Sequence, residues 1–358
     1  MKICFLSTSN SIHSYKWVSY FANIGWEVIW LSTSENKFQS VKGLTFYKLR
    51  TPFVLTLLDA RRIIKATDPL IIHAHYVGKY GLLGSLSGLK PLIITAWGSD
   101  IIFGGKHFFK RPLIKYILHK SKLITCDANH MKNAMIKLGV NAEKIKIILF
   151  GVDTKKFFPK KNKSNELQKL TNNFLVLSVR NFEPVYNVKS LIFAANLVLS
   201  KYPDTEFLLA GNGSLKPQLQ ALIKKLKLQK NVRFSGHISA ENMPELYNSA
   251  DICVSTSLSD AGIAGSTAEA MACGIPVIAT ETGENNLWIK NDINGFLVPP
   301  DNFEKLAERI ITLIESPANR KQFGINNVAK IHNNNSYQTE MTKMRVIYEK
   351  FNSNDGSY

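Results

Sequence analysis

Short apolar runs alternate with amphipathic stretches along almost the whole chain, and no other feature limits its fold as strongly. "KICFLST", "WEVIWLST", "LTFYKL", "PLIIHAH", "PLIITAW", "KLITCD" and "KIKIILF" have strand length, and helical patterns such as "SIHSYKWVSYFANIG", with Gly25 as its stop, lie between them. Such a βα series predicts a mostly parallel sheet covered on both faces. A stretch rich in Pro, Lys and Asn, "GVDTKKFFPKKNKSNELQKLTNN", breaks the rhythm, and residues 152–173 read as a linker region. "FLVLSVR", "TEFLLAG", "VRFSGH", "DICVSTS", "IPVIAT" and "GFLVP" then resume it. The expectation is an α/β chain of two doubly wound, Rossmann-like domains facing a cleft. They span 1–157 and 158–334, and a helix-bearing segment, 335–358, is expected to pack back on the first.

Composition narrows the classes. With 358 residues, 45% of them apolar, the chain has enough material for two cores. Its apolar runs fall short of the roughly 18–20 residues that cross a bilayer, and "MKICFLSTSN" is a short strand followed by polar residues rather than a leader. Cys4, Cys126, Cys253 and Cys273 stand far apart without CxxC spacing, which reads as reduced thiols in a cytoplasmic protein. The net charge of +18 is one-sided: residues 1–163 hold 26 Lys and Arg against 8 Asp and Glu, leaving 19 of each elsewhere. The first domain is therefore expected to meet something anionic.

Open α/β folds bind ligands outside the carboxyl ends of their strands, and the default ligand is a nucleotide. A dinucleotide site is disfavoured, because the first strand-to-helix turn, "STSNSIHSYKW", contains no glycine. "AGNGS" supplies Gly211 and Asn212 after a later strand, a weak signal that serves a tight turn equally well. "SDAGIAGSTAEAMACGIPV" is more specific. Gly262, Gly265 and Ser266 precede a short helix, "TAEAMAC", that begins at Thr267, so its bare amides and positive dipole end suit a diphosphate. Glu269, expected in the first turn, could accept hydrogen bonds from ribose hydroxyls, or Ser266-x-x-Glu269 could be a capping box.

"STSLSDAGIAGSTAEAMACGIPVIATETGENNLWIKNDINGFLVPPDN" resembles the signature of the retaining family 4 glycosyltransferases of the GT-B fold. Further likeness runs through "KLGVNAEKIKIILFGVDTKKFFP", "YPDTEFLLAGNGSLKPQL" and "VRFSGHISAENMPELYNSADICVSTS". The resemblance implies a retaining transfer of a sugar from a nucleotide diphosphate, bound by the second domain, to a hydroxyl of a glycan or lipid-linked acceptor held by the first. Cell-surface polysaccharide, lipopolysaccharide or glycoconjugate synthesis is the setting it implies. By the same likeness Glu269 binds the donor ribose and Arg180 neutralises the diphosphate. The family's first motif Glu falls on Ala261, with Asp260 one residue earlier, so either Asp260 reaches the donor sugar in its place or the loop's backbone amides suffice, and the family's usual Lys falls near Tyr186 or Asn187.

In the first domain Trp97 stands where many relatives have His. It could stack on a sugar or fill the core, and Asp100 could act in catalysis on a sugar hydroxyl or cap a helix. His75 and His13 complete the candidate acceptor set. His73 and His75 make a poor metal site and no Asp-x-Asp occurs, so metal-independent transfer is expected, without a cofactor. Residues 103–122 interleave aromatics with Lys106, Lys110, Arg111 and Lys115, which reads either as a basic face for an anionic membrane or as a helix covering the sheet. A nucleotide-sugar epimerase and a non-catalytic binding module are the alternative functions.

Overall fold

The structure is a computed structural model describing residues 1–102, 104–106, 109–160, 173–236, 238–260 and 262–352. It divides into two units, Met1–Phe150 with the segment from Gln338, and Gly151–Tyr337. These limits differ from the expected boundaries at 157 and 334. Val152 forms a parallel bridge with Ser336, its N–H donating to the Asn335 carbonyl at 2.8 Å and its carbonyl accepting from Tyr337 at 2.9 Å, which ties the chain after Phe150 into the second unit. Positions 161–172 of the expected linker lie outside the described residues.

Each of the thirteen apolar runs contains a strand. In the first unit these are β1 (Lys2–Leu6), β2 (Glu27–Ser32), β3 (Leu44–Lys48), β4 (Ile71–His75), β5 (Leu92–Thr95), β6 (Leu123–Cys126) and β7 (Ile145–Ile147), paired in parallel in the order β3-β2-β1-β4-β5-β6-β7. The second unit contributes β8 (Leu175–Val179), β9 (Glu206–Ala210), β10 (Val232–Gly236), β11 (Ile252–Ser255), β12 (Val277–Thr280) and β13 (Gly295–Val298), also parallel, in the order β10-β9-β8-β11-β12-β13. The strand order reverses between β1 and β4 and again between β8 and β11, which fixes a topological switch point in each sheet.

Strands covered on both faces must be apolar throughout, and β4 obeys this with two histidines inside it: all of Ile71–His75 is buried. The His73 ring meets the Tyr348 hydroxyl through Nδ1 and Thr95 Oγ1 through Nε2 at 2.7 Å, and Thr95 meets Thr125 at 2.6 Å. Tyr348 comes from the last helix, Tyr337–Asn352, whose buried Glu340 also accepts from the Leu149 N–H at 2.9 Å. This helix is thus tied to the first sheet by polar contacts as well as by Met341 and Met344. His75 has no hydrogen-bond partner on either nitrogen among the described residues. Its ring lies 5.0 Å from Trp17 and 5.6 Å from Phe5, centroid to centroid. Burial holds both imidazoles neutral, pushing His75 down to about 3 and His73 well below its ordinary value.

In the second unit, Val176, Ile192, Phe207, Ile252, Ile278, Phe296 and Phe323 belong to one core. The helix Gly265–Ala272 ends at Gly274, φ +74°, where the chain passes under the helix Pro317–Asn334 at Gly324. A Cβ on Gly324 would stand 2.3 Å from the Gly274 carbonyl oxygen.

Two outcomes follow from these packings. Gly324→Ala should lower stability by about 1–3 kcal/mol, since neither backbone can yield without moving its helix, and chemical denaturation measures the loss. The depressed histidines make stability full above pH 6.5, where unfolded histidine is also neutral, and drain it as pH falls toward 3. Each of the two adds a slope approaching about 1.4 kcal/mol per pH unit. His75→Phe should remove one proton's worth of that slope; an unchanged slope would show that His75 is not held neutral.

Candidate functional site

The site in the second unit begins where β8 ends. Arg180 follows Val179 directly, so its side chain leaves the carboxyl edge of the sheet beside β11, at the switch point. Its Nε and Nη2 donate to Ser255 Oγ at 3.0 and 2.7 Å, and Nη2 lies 3.2 and 3.3 Å from the two carboxylate oxygens of Asp260. Both side chains are deeply placed, 11% and 7% exposed, so the pair is a desolvated one. Asn285 Nδ2 donates to Asp260 at 3.3 Å and to the Thr280 carbonyl at 3.0 Å, bracing the carboxylate from its far side. The Tyr186 ring lies beneath the guanidinium, 5.3 Å from Cζ to centroid. These groups adjoin a pocket of about 270 Å3 lined by Arg180, Asn181, Tyr186, Gly211, Ile238 and Met243.

Gly211 earns its place sterically: its φ is +152°, and a Cβ there would stand 2.1 Å from the Arg180 carbonyl oxygen. The neighbouring turn is fastened by Phe182 N–H to Asn212 O at 2.9 Å and by Ser214 N–H to Glu183 at 2.8 Å. Gly211 therefore seats the Arg180 backbone while lining the pocket, and the exposed Asn212 contributes its carbonyl to the turn.

The helix carrying Glu269 starts earlier than a capping box needs. Its N-cap is Ala264, and no side chain caps it. Ser266 is already inside the helix, which removes the capping-box reading, and Glu269 sits in the second turn rather than in the first as expected. The Tyr247 hydroxyl donates to Glu269 at 3.2 Å. Burial, reinforced by that carboxylate, holds the phenol protonated. A Cβ on Gly265 would meet nothing within 4 Å, so space remains open ahead of the first-turn amides. Gly262 and Thr267 are buried and Ser266 is half-buried; Ala261 lies outside the described residues.

The first unit brings its three acceptor candidates together. The Trp97 ring centroid is 6.0 Å from His13 and 5.9 Å from His75, and Phe150, which the sequence reading passed over as a strand end, lies 4.7 Å from His13. Burial, with Lys16 nearby, pushes His13 down to about 4, and Trp97 Nε1 is buried without a partner among the described residues. Asp100, expected either in catalysis or as a helix cap, is engaged by backbone amides. Its carboxylate accepts the N–H of Val77 at 2.9 Å and that of Trp97 at 3.1 Å, so it holds the loop carrying Trp97. Burial raises its pKa against those backbone donors. No three His, Cys, Asp or Glu side chains gather into a metal-ligating group among the described residues.

The basic segment forms a helix, Arg111–Lys120, with Pro112 in its first turn. Ile114, Ile117 and Leu118 are buried, whereas Phe109, Leu113 and Tyr116 are 82%, 44% and 40% exposed. Lys110 and Arg111 are exposed and Lys115 is half-buried. The Lys106 side chain and all of Phe108 lie outside the described residues. No described helix is long and apolar enough to cross a membrane.

Comparison with known proteins agrees with this geometry. The family description "Glycosyl transferases group 1" matches residues 159–329, and "Glycosyl transferase 4-like" matches residues 2–128. An uncharacterized glycosyltransferase of Methanocaldococcus jannaschii is 27% identical over 81% of this chain and 78% of its own length. The UDP-Gal:alpha-D-GlcNAc-diphosphoundecaprenol alpha-1,3-galactosyltransferase of Escherichia coli is 26% identical over 73% and 70%. Anabaena HepE, solved with UDP, superposes with a TM-score of 0.85 over 98% of this chain and all of that one at 20% identity, which places the fold in the GT-B class. With one description matching each unit and this shared fold, the chain belongs to the group 1 glycosyl transferases.

Proposed function

We propose that this glycosyltransferase moves a hexose from a nucleotide diphosphate to a hydroxyl of a glycan or lipid-linked acceptor, with retention of configuration, in the synthesis of a cell-surface polysaccharide, lipopolysaccharide or related glycoconjugate. The observation that carries the reading is the placement of Arg180 at the carboxyl end of β8, at the switch point, beside a pocket that Gly211 lines. A guanidinium there can grip a diphosphate bidentately, and the uncapped helix start at Gly265 offers backbone amides to the same kind of anion. Both interactions strengthen as the diphosphate gains charge on leaving, which is the condition for catalysis by differential binding. Glu269 takes the ribose hydroxyls and Asp260 the donor sugar. Charge stabilisation by these groups requires no bridging metal. Uridine is the first nucleotide to test, since Anabaena HepE is solved with UDP-glucose and the Escherichia coli relative is named for UDP-Gal.

On the acceptor side the half-buried His13 and Trp97 present an aromatic, uncharged surface of the kind that packs on a sugar ring, with the buried His75 behind Trp97. Asp100 orients it by holding the Trp97 loop. The exposed stripe Phe109, Leu113 and Tyr116, flanked by Lys110, Arg111 and Lys115, rests on the cytoplasmic face of an anionic membrane, where a lipid-linked acceptor is found. The amylovoran biosynthesis glycosyltransferase AmsK of Erwinia amylovora, 25% identical over 71% of this chain, supports a polysaccharide setting.

Calorimetry with UDP tests the donor site. Glu269→Gln and Arg180→Lys should each weaken binding by about 1.5–3 kcal/mol with a cooperative fold retained, the range for a lost charged hydrogen bond; unchanged affinity in both would remove these residues from the site. Vesicle sedimentation tests the membrane face. Binding to phosphatidylglycerol vesicles should fall with salt, and the triple variant Lys110→Ser/Arg111→Ser/Lys115→Ser should lose about 1 kcal/mol per removed charge at an unchanged melting temperature. Binding indifferent to both would overturn the peripheral reading.

A further inference from the structure

The first sheet carries a second concentration of charge, at the end of its strands opposite the candidate acceptor residues. Lys122 immediately precedes β6 and Lys144 immediately precedes β7, and Lys90 stands two residues before β5. These three strands are adjacent and parallel, with Ile93 opposite Leu123 and Ile124 opposite Ile145, so the register itself lines the three lysines along one edge. Neighbouring strands are about 4.8 Å apart, close enough for three ammonium groups to reach one small anion. The helix Arg111–Lys120 ends beside them and adds His119 and Lys120.

All five basic side chains line one pocket of about 470 Å3, whose remaining walls are Pro91, Leu92, Ser121 and Phe351. The ion pair found there is Lys90 with Asp68, at 2.6 Å; Lys120, Lys122, Lys144 and His119 have no acidic partner within 4 Å among the described residues. Basic residues in a helix's last turn offset its dipole, which accounts for His119 and Lys120 by themselves. It does not account for Lys90, Lys122 and Lys144, which come from three separate connections and converge on the same concavity. Like charges gathered around a hollow repel one another until an anion enters.

We propose that this pocket binds a phosphate ester, a group small enough to sit among several ammonium groups and multiply charged enough to satisfy them, with Phe351 and Leu92 against its organic part. The site is separate from the one that holds the nucleotide diphosphate. Its shared chemistry is the phosphate, and the source is either a soluble ester or a lipid headgroup.

Pyrophosphate binding to the full chain, measured by calorimetry with and without saturating UDP, tests it. Saturable binding that persists under UDP should weaken about tenfold in Lys120→Ser/Lys122→Ser/Lys144→Ser, a loss of about 1.4 kcal/mol. It should not change in Lys37→Ser/Lys42→Ser/Lys65→Ser, which removes equal charge from exposed positions of the same unit. The single variant Lys122→Ser, at an exposed position, should show a smaller loss in the same direction and guards against misfolding of the triple variant. Equal weakening in both triple variants, abolition by UDP, or no weakening would overturn the proposal. Sedimentation with phosphatidylcholine vesicles, with and without phosphatidic acid, separates the sources. Pocket-dependent vesicle binding assigns the phosphate to a headgroup, and pocket-dependent binding of pyrophosphate alone assigns it to a soluble ester.

Discussion

A guanidinium placed as deeply as Arg180 must have a counter-charge, and the carboxyl end of the second sheet is organised around supplying one. Asp260 provides the charge, Ser255 takes two of the N–H donors, and Tyr186 covers the flat face. Asn285 then restrains Asp260. Removing one partner would strand the other with its desolvation uncompensated, so the arrangement stands or falls as a group. Such a pair keeps the cation in position before any ligand is present. The guanidinium is thereby oriented in advance, and any anion that approaches it must compete with a carboxylate already in place.

Parallel pairing puts that fork where it is. A parallel strand cannot return by a hairpin, so every connection crosses a face of the sheet and every strand ends at the same edge. Where the order reverses, at β1 and β4 and at β8 and β11, consecutive connections leave in opposite directions and open a crevice. Arg180 and Ser255 stand at one such reversal. His75, at the end of β4, stands at the other, and His13 follows β1 in its first helix. The chemistry collects at the two reversals because topology leaves room for it there.

The strands were legible because parallel, doubly covered strands are mostly apolar; β4, β5, β6, β11 and β12 are buried throughout, whereas β3 and β10, at the sheet edges, are not. Element edges were less so. The boundary at Phe150 depends on a bridge between Val152 and Ser336, a pairing across more than half the chain that no local pattern announces. Arg180 and Gly211 were readable from their places after strands, but Ser255, which accepts from Arg180, and Asn285, which donates to Asp260, come from distant segments and look like ordinary polar residues in the sequence. Asp100 was readable as a carboxylate near a loop; its commitment to the Val77 and Trp97 amides was not, because those bonds depend on how the loop after β4 folds beside the loop after β5. Glu269 was placed one turn early because the run of small residues before it hid the helix start.

The two ends of the first sheet differ in electrostatic character, and that difference constrains how an excess of basic residues can be used. At the carboxyl end, burial keeps His13 and His75 neutral, with pKa values near 4 and 3, among Trp97 and Phe150. A surface of that kind attracts the weakly polar faces of a sugar ring and gives little to a phosphate. The lysines preceding β5, β6 and β7 lie at the opposite end of the strands. Aromatic and basic groups thereby occupy separate surfaces of one unit. An uncharged aromatic surface discriminates by shape and draws in few polyanions, whereas a basic one attracts anions through interactions that salt can tune.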